Sequence, residues 1–187
     1  MHSFQKFTMN MLRRHGLILL IALTGFSGAA QAQRTGMPVV DFRDIPVSLS
    51  SSKTLTSEQV RQAFVAAAGA GRWEVATLAN GNLQLTTLKN GKHTLVVDVV
   101  LSADKYAVLY SRSEDLNYVK DTSRRPVPLS VAQTSMLEMA RAEHAKRFAN
   151  LPEAKFAVVR EGTSIHPSYE AWVHELLGGV RSQLAPL

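Results

Sequence analysis

The chain has 187 residues, 45% of them hydrophobic, with 21 Lys and Arg against 15 Asp and Glu and a net charge of +6. It contains no cysteine, which excludes disulfide stapling, thiol catalysis and cysteine-held zinc. Three of the positive charges (Lys6, Arg13 and Arg14) fall in the first 32 residues, and the +3 that remains (18 against 15) is too mild to predict a nucleic-acid or anionic-lipid partner.

Residues 1–32 read as a targeting segment. Lys6, Arg13 and Arg14 form a basic lead without acidic residues, Gly16 to Ala30 is apolar, and Ala30-Gln31-Ala32 fits a small-x-small cleavage site. That apolar run is shorter than the ~20 residues of a spanning helix. The reading predicts cleavage after Ala32, export to a periplasm, and no membrane span in the 155 residues that follow. That length suits one domain with its own core.

Residues 33–54 carry Pro38, Pro46 and the serines Ser48 and Ser50 to Ser52, with Val39, Val40, Phe42, Ile45 and Val47 between them. They read as a packed arm or a short edge strand followed by a loop. A single domain is expected over 55–187. Thr56-Ser-Glu-Gln59 is a capping box, and Val60, Ala63, Phe64 and Ala67 then recur at helical spacing. Gly69 and Gly71 should end that helix.

Four strands are expected next, at 72–77, 82–88, 93–101 and 105–111. Asn80-Gly81 and Asn90-Gly91 suit two-residue type I′ turns, and Ser102-Ala103-Asp104 makes the third connection. Short connections between successive strands predict an antiparallel meander. Leu95, Val97, Val99 and Leu101 alternate with Thr94, Val96, Asp98 and Val100, so helices should cover one side.

Residues 112–129 are polar and then proline-punctuated, which predicts a surface loop. Ser130-Val-Ala-Gln133 is a second capping box, opening a helix to about Asn150 whose stripe holds Met136, Leu137, Ala140, His144 and Phe148. Lys155 to Arg160 reads as a short strand. Pro167 then opens a closing helix with Tyr169, Trp172, Val173, Leu176 and Val180 on one stripe, which Gly178-Gly179 should weaken or end. The fold class expected is α+β: an antiparallel meander of four or five strands, with the first and last helices on one face and the middle helix added at the side.

The capped first helix, Gly71-Arg72-Trp73, Gly81-Asn82-Leu83, the His93 strand, Tyr106 to Tyr110, Ser113 to Tyr118 and Ile165 to Val173 follow in an order that resembles a family of small, uncharacterised, lipoprotein-like proteobacterial envelope proteins. The resemblance covers roughly 55–118 and 163–184. It implies a fold and an envelope location and carries no activity. Two departures stand out. Ala32-Gln33 occupies the place of the lipidated cysteine, which favours a soluble periplasmic form, and the family's shorter link makes 121–160 an insertion here.

Candidate chemistry is sparse. His166, Glu170 and His174 are spaced i, i+4, i+8, a set that could offer ligands to zinc, copper or nickel. His166 before Pro167 should sit at a helix cap, however, and a drift of ~40° per four residues fans the three apart. Asp98 could be a buried carboxylate, although its strand position reads as the solvent side. There is no Gly-x-Ser-x-Gly and no glycine-rich phosphate loop, so no enzyme class is favoured and no cofactor is expected beyond a zinc or copper ion. Arg112, Tyr118, Lys120, Arg124 and Arg125 could form an interaction surface, and Met136 and Met139 an adaptable contact if the middle helix is a flap. Trp73 and Trp172 read as core. The leading expectation is a non-enzymatic binding or interaction module of the envelope, with an envelope protein as its partner. A metal-binding protein and an enzyme of unknown class are the alternatives.

Overall fold

The computed structural model describes residues 36–102, 104–120 and 131–187. The expected targeting segment, Arg124 and Arg125 lie outside those residues, as do the side chains of Met136 and His144. Among the described residues the chain forms seven strands and three α-helices, which makes it α+β.

The capping box holds as expected. Thr56 accepts from the Gln59 backbone N–H while the Gln59 side chain accepts from the Thr56 N–H, and helix α1 runs Ser57–Ala70. Gly71 follows without a left-handed φ; a side chain there would press on the Trp73 ring at 3.0 Å, and Arg72 takes the positive φ instead. Strands β2 (Trp73–Thr77), β3 (Leu83–Lys89), β4 (His93–Leu101) and β5 (Lys105–Glu114) form the antiparallel meander. Asn90 and Gly91 both have positive φ, as a type I′ turn requires. The Asn80-Gly81 expectation is corrected. Only Gly81 has positive φ, and its N–H donates to Leu78 across a longer connection.

The larger correction concerns the start of the chain. Strand β1 (Met37–Pro46) is neither an arm nor an edge. It lies between β5 and β7 (Ala157–Ile165) in a seven-stranded sheet of order β2-β3-β4-β5-β1-β7-β6, where β6 is Val119–Lys120. The physical reason is visible in the run Val39 to Phe42, buried at every position; a strand flanked by partners on both edges and covered on both faces needs no polar alternation. The strand expected at 155–160 starts two residues later and continues to Ile165, pairing Ala157 to Arg160 with Phe42 to Val39. Two strands pairing across that distance take the sheet beyond the four or five expected.

Helix α3 (Ser168–Leu184) and α1 pack on each other over the sheet. Gly178-Gly179 does not end α3. A Cβ on Gly179 would come within 3.2 Å of Ala67 Cβ, so the glycine admits the neighbouring helix. One core joins Phe64, Tyr106, Leu85, Val97, Phe42, Val173 and Leu177. Helix α2 (Val131–Phe148) meets α3 through Phe148, which is buried and stacks on His174, while Met139 is 64% exposed. Among the described residues no helix is long and apolar enough to cross a membrane.

Candidate functional site

The ladder between β1 and β5 stops at the pair Phe42–Val108. Continued by two residues, it would set Val40 opposite Tyr110. That rung is made by side chains instead. The Tyr110 N–H donates to Asp41 Oδ1 at 2.9 Å, the Tyr110 carbonyl accepts from Arg160 Nη2 at 2.8 Å, and the Val40 carbonyl accepts from the Tyr169 hydroxyl at 2.7 Å. Buried backbone groups have to find partners, so a carboxylate, a guanidinium and a phenol stand in for the missing strand contact.

Asp41 is fully buried, yet its charge is well met. Arg160 Nε and Arg43 Nη2 both donate to Oδ2, each at 2.8 Å. Burial works against the Arg160 charge, but the Asp41 hydrogen bond and charge outweigh it and hold the guanidinium above its ordinary pKa. Burial, and next the Asp41 charge, push the Tyr169 phenol up; burial also raises Tyr110, partly offset by its bond to Ser113. The Tyr110 ring meets Tyr118 at 4.9 Å and Tyr169 edge-on at 5.6 Å, with the Arg160 guanidinium over it at 5.6 Å. Arg43 and Arg160 keep side-chain exposures of 49% and 32%, so the opening is polar at its rim and aromatic beneath.

A second buried carboxylate lies elsewhere. Glu153, in a 3-10 turn over Pro152–Phe156, is buried and hydrogen-bonded to Arg181 near the end of α3. Burial, and then the Glu153 charge, push the Tyr106 phenol up to about 12.

The residues expected from spacing separate. His166 lies just before Pro167, the N-cap of α3, and its Nδ1 accepts from the Ser168 N–H at 3.2 Å. Its ring stacks on His93 at 6.0 Å, and His93 lies 6.1 Å from Trp172. His174 points inward between Phe42 (4.8 Å) and Phe148 (4.5 Å), with Nε2 at 3.5 Å from Glu170 Oε1. That separation is a charge contact only if the ring is protonated; among the described residues neither ring nitrogen has a hydrogen bond. Glu170 and His174 are thus together, while His166 stacks on His93. Among the described residues no group of three His, Asp or Glu side chains is arranged to hold a metal ion.

Of the expected interaction surface, Tyr118 joins the opening through its contact with Tyr110, while Lys120 and Arg112 are exposed. Asp98 is half-buried and accepts from Gln84 at 2.9 Å. Trp73 is core as expected, and Trp172 is half-buried. The residues that define the opening, Asp41, Arg43 and Arg160, were not singled out by sequence. The available signal was an acidic residue inside the apolar run Val39 to Phe42, which predicts a paired buried carboxylate. The fold and the opening define an α+β sheet protein with a side-chain-filled gap between two central strands. Comparisons with protein families, curated proteins and solved structures find no match to this chain.

Proposed function

We propose that the protein is an exported, non-enzymatic interaction module that engages an envelope partner at the opening between β1 and β5. The observation that supports this is the clustering of half-exposed Arg43, Arg160 and Tyr118 around fully buried Asp41. Arginine and tyrosine are the side chains that most often anchor interfaces, and here packing and hydrogen bonds hold them before any partner arrives. The basic lead and apolar run of residues 1–32, and the resemblance to envelope proteins, support the location.

The test is site-specific photo-cross-linking in cells that express the full chain. A photoreactive residue at position 118 should give a discrete adduct in the periplasmic fraction. The same residue at Lys92, exposed beside the Asn90-Gly91 turn, should not. An absence of adduct at 118, or the same adduct from both positions, would overturn the reading.

A further inference from the structure

Asp41 is supplied with more positive charge than it needs. One carboxylate balances one guanidinium, yet Arg43 and Arg160 both lie 2.8 Å from the same oxygen, Oδ2. No other carboxylate among the described residues pairs with either arginine. The two like charges are held against their mutual repulsion, in a place where the carboxylate below them is out of water. Among the described residues neither fork is used up. Arg43 spends Nη2, and Arg160 spends Nε and Nη2 on Asp41 and the Tyr110 carbonyl. The two side chains are 49% and 32% exposed.

From this geometry, and resting on the opening being the binding face, we infer that Arg43 and Arg160 form a subsite for a single anionic group, a carboxylate or a phosphate, of the bound partner. Planar guanidinium forks match both groups in two-bond fashion, which an ammonium does not. Asp41 fixes the position of the forks and leaves one net positive charge for the incoming anion. The anchoring is asymmetric. Arg160 is bound at two of its nitrogens and stacked over Tyr110, so it is the rigid wall, and Arg43, tied by one bond and half-exposed, is the arm that closes on the ligand.

The test is calorimetric titration of protein expressed from the full chain with inorganic phosphate and, separately, acetate, each against chloride at matched ionic strength. Saturable binding of phosphate, acetate or both is expected, and which of them binds tells whether the partner's group is a phosphate or a carboxylate. Arg43→Gln, which leaves the Asp41 bonds to Tyr110 and Arg160 in place, should weaken that binding at least ~10-fold. In the unmodified protein the Arg43 and Arg160 Nε–H resonances should shift as the anion is added, a readout independent of any variant. Binding no stronger than that of chloride, an unchanged affinity in Arg43→Gln, or shifts confined to other residues would overturn the inference. A cross-link at position 118 that survives such a failure would leave the interaction module standing with a partner held by other chemistry.

Discussion

Arg160 donates through Nε to Oδ2 of Asp41 at 2.8 Å, across 119 positions of sequence, and the pair stands where a strand-to-strand hydrogen bond would otherwise be. The Asp41 carboxylate binds a backbone N–H, and the Arg160 guanidinium a backbone carbonyl, of one residue, Tyr110. Side-chain chemistry is therefore part of the sheet itself. Asp41→Ala should cost about 2–4 kcal/mol, since it strips the buried Tyr110 N–H and leaves Arg160 without its counter-charge. Urea unfolding followed by tryptophan fluorescence measures it, and a loss under ~1 kcal/mol would assign the pair to the surface.

Tyr169→Phe removes one hydroxyl and leaves the Val40 carbonyl without its partner in a buried place. The expected loss is about 1–3 kcal/mol with an unchanged urea slope. A neutral result would mean that water reaches Val40.

His174 is held by shape, between Phe42 and Phe148, with no hydrogen bond to either ring nitrogen among the described residues. His174→Ala should cost about 2–4 kcal/mol by opening a cavity, whereas His174→Leu should stay within ~1.5 kcal/mol of the parent. If the leucine variant proves as damaging as the alanine variant, the contact with Glu170 is the stronger part of the ring's role.

Alkaline pH should destabilise the fold in a defined window. Burial raises the Tyr106 phenol to about 12, and Tyr169 and Tyr110 also move upward. A group that holds its proton more tightly when folded contributes stability that is complete below the unfolded value of ~10. That stability is lost as pH rises through the folded value. Unfolding free energy should therefore fall between pH 10 and about 12, with delayed tyrosinate absorbance at 295 nm that appears together with unfolding. Phenols that all ionise near 10 in the folded protein would contradict the burial.

Thr56→Ala should cost about 1 kcal/mol, because it removes the acceptor for the Gln59 N–H at the start of α1. Thr56→Ser should restore most of it.

What sequence conveyed was local. The capping box at Thr56, the alternation along β4 and the paired positive φ at Asn90-Gly91 each depend on neighbours within a few positions, and each is present. The closing helix was legible too, apart from Gly179, whose role depends on Ala67 in another element. The place of β1 was not legible, because pairing with both β5 and β7 leaves no trace within 37–46 beyond the short apolar run around Asp41. The same distance hid the opening. Asp41 within its apolar run calls for a partner, but Arg160 looks like an ordinary charged residue until β7 is laid against β1. Spacing also misled at His166, where i, i+4, i+8 counts a residue that lies before Pro167, the helix cap.

The position of β1 has a consequence for the order in which the protein folds. The hairpins β2–β3, β3–β4 and β4–β5 close short loops and can form on their own. Strand β1 gains its second partner only when β7, more than a hundred residues onward, has been made. Closing so long a loop is entropically unfavourable and slow, so until β7 arrives β1 waits with one edge unpaired along an apolar segment. Deleting residues from 157 onward should thus strand β1, more than a hundred residues earlier, and the truncated product should aggregate through Val39 to Phe42.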